Sequence, residues 1–229
     1  MGRVIVEMLA SEGARVVVHH HRSGDEAREV ARQVDGHAVQ ADLSCPGGAS
    51  SLVEQVQQLT RQGHLLGVCV NAAANFERSA FLASSDELWE QTLRLVVLSP
   101  ATIVRELAPA MAEGGVVINV LDVAAHQPWK GYSHHCVAKA ALAMLTQTLA
   151  LELAPRLRVC GVSPGVVMLP EGCGAETAGR LRNRVPLRRL GDPDDVAQAV
   201  RYLVHADHVT GSVISVDGGM SLVRSRLPD

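Results

Sequence analysis

Apolar residues along this chain follow two alternating rhythms. Short valine-rich runs, such as Ala14-Arg15-Val16-Val17-Val18-His19, read as buried strands. Signals of this kind fall at Ala14–His19, His37–Ala41, Leu66–Val70, Gly115–Leu121, Leu157–Val162 and Ser212–Val216. Between them the apolar positions take a helical period. That period predicts helices over Val4–Leu9, Asp25–Val34, Ala49–Gln62, Asp86–Ala112, Ala140–Leu153, Gly174–Arg184 and Pro193–Val204. Asp192 stands as an N-cap, with Pro193 in the first turn. Strands separated by helices imply parallel pairing through right-handed crossovers. The expected fold is α/β, a doubly wound Rossmann-type parallel sheet. No internal repeat, low-complexity segment or linker interrupts it, so a single domain over residues 1–229 is expected.

Composition narrows the function. Apolar residues at 47% and charged residues at 20% are ordinary for a soluble globular protein. A net charge of -3 gives no basic footprint, so nucleic acid is not an expected partner. The five cysteines (Cys45, Cys69, Cys136, Cys160 and Cys173) are odd in number and scattered, which reads as reduced thiols in a cytoplasm. No charge-free apolar run is long enough for a membrane span, and the Met-Gly-Arg-Val-Ile-Val-Glu start lacks the features of a secretory signal. His19, His20 and His21 are adjacent on a predicted strand. Neighbours there point to opposite faces, and no Cys or carboxylate cluster supports them, so no metal is expected.

The chemistry concentrates around Gly131-Tyr132-Ser133-His134-His135-Cys136-Val137-Ala138-Lys139, which leads into the helix at Ala140. This segment resembles the active-site helix of the short-chain dehydrogenase/reductase family, where a tyrosine stands four residues before the lysine. Here Lys139 is in place and the tyrosine position is His135. Histidine can act as acid or base near neutral pH, but it is shorter than tyrosine. Asp122 stands where the pteridine-reductase branch carries an aspartate; equally, it reads as a loop carboxylate capping a turn. The family's asparagine should lie four residues before Pro100, and that position is Val96, which cannot hydrogen-bond a water. As helix-surface polar residues, His134 and His135 would need no catalytic role.

The resemblance also implies an NADP site. Arg22 and Ser23 match an Arg-Ser pair that meets the ribose 2′-phosphate, and guanidinium geometry suits phosphate. Asp42 matches an adenine-contacting aspartate, Asn71 begins a partial Asn-Asn-Ala-Gly match, and Pro164 and Gly165 match the turn beside the nicotinamide. Gly2 aligns with the last glycine of the phosphate turn; the usual first strand and most of the Gly-rich turn have no counterpart. Either the chain begins upstream of Met1, or it does not grip a dinucleotide in the usual way. The closing segment Val209–Gly219 matches the family well, as does the helix entry around Asp192.

The pattern is similar to the companion, non-catalytic members of paired short-chain reductases in aminocoumarin antibiotic pathways of the novobiocin type. The resemblance implies a heterotetramer with a catalytically complete paralogue. Together they would oxidise a carrier-protein-bound β-hydroxytyrosyl group to the β-keto form with NADP⁺. Two other readings stay open: an active NADPH-dependent carbonyl reductase of the pteridine-reductase type, and a free-standing, non-redox binding protein.

Overall fold

The computed structural model describes residues 1–60, 63, 65–169 and 174–223. Cys173 and the end of the helix expected to reach Gln62 lie outside the described residues. The helices are α1 (Gly2–Ser11), α2 (Gly24–Gln33), α3 (Gly48–Thr60), α4 (Asp86–Leu93), α5 (Ser99–Leu107), α6 (Ser133–Leu153), α7 (Ala175–Arg184) and α8 (Pro193–His205). The strands are β1 (Val17–His20), β2 (His37–Gln40), β3 (Leu66–Asn71), β4 (Met111–Val120), β5 (Arg158–Pro164) and β6 (Val213–Val216). Every expected strand has its counterpart, as does every expected helix but the one over Asp86–Ala112, and all pairings are parallel.

The strands form two sheets. β1 pairs with β2, and β3, β4, β5 and β6 follow in that order in a separate four-stranded sheet. The strands still share their two apolar layers. Val16, Val68 and Val70 join α1 and α8 in one cluster, around Val116, Ile118 and Val200. Val17, Leu66 and Cys69 join α3 and α5 in the other, around Val53 and Ile103. Strands buried on both faces read as continuous apolar runs rather than alternating ones, which is why Val116–Val120 contains so little polar character. Each fully buried Val, Leu or Ile contributes roughly 1.5–3 kcal/mol.

Three local features depart from the sequence reading. The stretch expected as one helix over Asp86–Ala112 is broken. α4 runs into a π-helical turn at Arg94–Leu98, α5 follows, and β4 begins at Met111. Pro100 lies just inside α5, where its missing N–H is part of the change in ladder. The active-site helix starts at Ser133 and not at Ala140, so His134, His135 and Lys139 are helical. Finally, α6 is 21 residues long and apolar enough to cross a membrane by length and composition. Here its Ala138, Leu142, Ala143 and Ala150 are buried in the fold.

The carboxyl-terminal third is tightly bonded. Asp192 and Asp195 form a reciprocal capping box on α8, and Arg189 holds Asp195 at 2.8 Å. The buried Arg158 donates to the carbonyls of Leu203 and Val204, each at 2.8 Å, and so fastens the end of α8 to β5.

Candidate active site

The expected site residues gather beyond the carboxyl ends of the strands, where open parallel sheets bind ligands. β4 ends at Val120 and the chain turns through Asp122. The Asp122 carboxylate accepts the Ala124 N–H at 2.8 Å and caps the short 3-10 turn Val123–Ala125. Its other oxygen lies 3.5 Å from Nε2 of His135. Asp122 therefore serves as turn cap and as the carboxylate facing the histidine.

Both α6 histidines are buried, contrary to their reading as surface residues: His135 is 2% exposed and His134 1%. The first turn of α6 points inward, and rings surround it. Phe76 meets His135 edge-on at 5.3 Å, and Trp129 stacks on it at 6.4 Å. Tyr132, at the N-cap of α6, stacks on Phe76 at 4.7 Å. Neither ring nitrogen of His135 makes a hydrogen bond. His134 meets Trp89 edge-on, and burial pulls its imidazole below the usual histidine range.

Lys139 follows His135 by one helical turn. Its Nζ donates to the carbonyl of Val120 at 2.7 Å. Burial pulls its ammonium down to about 8, against the opposing pull of Asp122. Val96 is fully buried in the π-helical turn. π-bulges are frequent at functional sites. The irregular backbone is kept here, while its central side chain has no polar atom.

The cofactor-side residues sit where the sheet ends require, with uneven fit. Arg22 and Ser23 are exposed after β1. Asp42 follows β2. The Ser44 hydroxyl at 2.6 Å and the Cys45 thiol at 3.0 Å bind its carboxylate and hold it down to about 2. Asn71 ends β3 and donates to Asn119 at 2.8 Å, and Asn119 donates to Thr146 at 2.9 Å. Pro164 ends β5. A Cβ on Gly165 would come within 2.8 Å of the Asp217 backbone, so that turn requires glycine. At Gly2 nothing stands within 4 Å of an added Cβ, so the fold makes no such demand there. The residues expected to meet NADP thus stand after β1, after β2 and at the end of β5, and Gly2 forms no tight cradle. Among the described residues no group of three or more His, Cys, Asp and Glu side chains can hold a metal.

The sequence reading missed the ring cluster on His135. Phe76, Trp129 and Tyr132 are half of the chain's six aromatic residues. Their scarcity, with two of them just before the histidines, was the available signal.

Residues 1–221 match the family profile described as enoyl-(acyl carrier protein) reductase. The granaticin polyketide synthase putative ketoacyl reductase 2 of Streptomyces violaceoruber is 33% identical, over 97% of this chain and 92% of that protein. Pteridine reductase 1 of Leishmania tarentolae is 30% identical, over 98% and 94%. The crystal structure of FolM alternative dihydrofolate reductase 1 from Brucella suis in complex with NADP superposes with a TM-score of 0.89, at 28% identity over 98% and 92% of the two chains. With its parallel sheet order, its helix carrying Lys139 and these likenesses along nearly its whole length, the chain belongs to the short-chain dehydrogenase/reductase family.

Proposed function

We propose that this chain is a non-catalytic short-chain-reductase subunit of an NADP-dependent oxidoreductase, working beside a catalytically complete paralogue in a heterotetramer. One observation carries the reading. At the position of the proton donor stands His135, buried among rings, with neither nitrogen hydrogen-bonded. A donor must reach the substrate oxygen within hydrogen-bond distance and must be recharged from solvent. The imidazole is buried among rings, and Val96 offers no polar atom to a relay. Lys139 supports the same reading, because its ammonium is spent on a backbone carbonyl.

The outer face of α6 supports the assembly. Val137, Met144 and Leu151 recur every seven residues and are 49%, 60% and 83% exposed, and Leu98 adds to the exposed apolar surface. An apolar stripe on one helix face suits packing against another helix. NADP would be held in the assembly, and in this chain Arg22, Ser23 and Asp42 are the groups that would meet its adenosine end. When bound, NADP supplies hydride chemistry.

The proposed substrate is an acyl group carried by a carrier protein. The descriptions of the matching profile and of the granaticin relative support that class. Oxidation of carrier-bound β-hydroxytyrosine to β-ketotyrosine, in aminocoumarin antibiotic biosynthesis, is the particular reaction we assign within it. The proposed compartment is the cytoplasm, in line with four free cysteines among the described residues.

Co-expression with a complete short-chain reductase tests the reading. Co-purification at the mass of a heterotetramer, with oxidation by the complex and none by this chain alone, is the expected result. A second reading rests on the 3.5 Å approach of Asp122 to His135, which would orient the imidazole as an acid–base group of an active carbonyl reductase. NADPH turnover by the isolated chain, abolished by His135→Ala, would establish that reading instead.

A further inference from the structure

Residues 72–85, between β3 and α4, lie as a strap across the first turn of α6. Their regular structure is the 3-10 turn Phe81–Ala83. Polar and ring contacts hold the strap down. Asn75 donates to Thr92 of α4 at 2.9 Å, the Ser79 N–H donates to the carbonyl of Gly131 at 2.9 Å, and the Trp89 indole donates to Ser84 at 3.1 Å. Phe76 stacks on Tyr132 and meets His135 edge-on. Beneath these contacts lies His134, buried as the core is. One of its ring nitrogens bonds to the backbone of Glu77, within the strap itself. The other, Nε2, is buried and has no hydrogen-bond partner among the described residues. A neutral imidazole keeps one nitrogen without a proton, and an unbonded acceptor there costs much less than an unbonded charge.

The geometry points to His134 as an acid-sensitive latch: a proton taken up at Nε2 releases residues 72–85 from α6 and uncovers His135. The surroundings of His134 do not accommodate that proton. Burial opposes it most strongly; the bond to Glu77 and the Glu77 carboxylate favour it, and His135 opposes it. From α4, Trp89 meets the ring edge-on and carries no charge, and the acids of that helix, Asp86, Glu87 and Glu90, are exposed. A charged Nε2 therefore needs water, which has to enter under the strap. The strap is the layer that gives way. Ala138, Leu142 and Ala143 anchor α6 in the core, whereas Phe76, Phe81 and Leu82 of the strap are exposed. A histidine held below its ordinary 6.5 when covered binds its proton more tightly once uncovered. Closure is thus at full strength above 6.5 and weakens as pH falls below it, by up to about tenfold in the opening constant per pH unit. Opening takes Phe76 off His135, so acid widens access to the group formed by Asp122, His135 and Lys139. The latch belongs to the strap and the helix and stands whether or not the chain transfers hydride.

Hydrogen exchange on the full chain tests the latch. The reporters are the Ser79 amide, bonded across to Gly131, and the Trp89 indole N–H, bonded to Ser84. Amides of Val116 to Val120 in β4 serve as the core reference. Protection, corrected for the intrinsic effect of pH on exchange, would be followed from about pH 7.5 to about pH 5, with NMR of the His134 ring over the same range. Protection of Ser79 and Trp89 should fall at least about threefold as the His134 ring takes up its proton, while the core reference holds. His134→Phe keeps a ring against Trp89 and cannot titrate, so the fall should vanish. His134→Gln, neutral and polar, should behave alike and serves if the phenylalanine variant does not fold. His135→Phe should retain the fall. Constant protection in the parent chain overturns the inference, as does a fall shared equally by the core. A fall that survives in the folded His134 variants, or that disappears only in His135→Phe, overturns it as well.

Discussion

The two faces of α6 differ in what they touch. On its inner face His134, His135 and Lys139 are buried among aromatic rings and a strand carbonyl, with several ring nitrogens unbonded. On its outer face Val137, Met144 and Leu151 lie open to solvent at seven-residue spacing. The inner face carries the family's lysine without its tyrosine, and the outer face carries an exposed apolar stripe. On the proposed reading, scaffold and chemistry part within a single helix. Packing positions constrain shape and polarity across many neighbours, whereas a proton relay depends on a few polar atoms.

The largest effect should come from the outer face. Met144→Glu combined with Leu151→Glu places two carboxylates on exposed positions, so the fold should survive while assembly with the paralogue weakens at least about 30-fold, a loss of roughly 2 kcal/mol. Light scattering of the co-expressed pair would give the mass of single chains. An unchanged complex would remove the stripe from the interface.

The next effect belongs to Lys139. Its folded value, about 8, lies below the 10.5 of a free lysine, so between those two pH values the unfolded chain holds more protons than the folded one. Stability should therefore rise as pH climbs from 8 to 10.5, and the burial penalty should be fully present below 8. The gap corresponds to about 3 kcal/mol. Lys139→Met should abolish this rise, which denaturant unfolding at pH 7 and 10.5 would measure. The chain has only two lysines, Lys130 and Lys139, so NMR of isotope-labelled dimethyl-lysine would read the titration directly. A midpoint near 10.4 for Lys139 would contradict the buried geometry.

Val96→Asn sharpens the comparison from inside. An amide in a fully buried, apolar setting should cost roughly 1–3 kcal/mol, seen as a lower urea midpoint. A cost near zero would mean that the π-helical turn still offers polar partners. The smallest effect should follow His135→Tyr. Restoring the hydroxyl alone leaves Val96 in the relay position, and NADPH turnover by the isolated chain should stay far below the roughly 1 s⁻¹ at the low end of ordinary enzymes. Turnover at that rate would show that the rest of the site is competent for hydride transfer.

Much of this fold was legible in the order of valine-rich runs and amphipathic stretches, because local periodicity decides strand against helix. The capping of α8 by Asp192 was legible for the same reason: it depends on neighbours in the chain. What could not be read depends on distant partners. Burial of His134 and His135 comes from Phe76, Trp89 and Trp129, and no pattern within α6 announces them. The π-helical turn at Arg94–Leu98 looks helical in sequence, since one extra residue in a turn hardly shifts the period. The site positions Lys139, Asp122 and His135 came from the resemblance to the family's active-site helix, but the hydrogen bond from Lys139 to Val120 is a contact between elements that no motif carries.

The central claim is that this chain positions a partner and moves no proton itself. Lys139→Ala, introduced into this chain alone within the co-expressed complex, tests it most directly, with oxidation rate and mass measured on the same preparation. The account predicts an unchanged mass and a rate within about twofold of the parent. A complex of unchanged mass whose turnover falls by the roughly 10²-fold or more expected for loss of a group acting in proton transfer would contradict it.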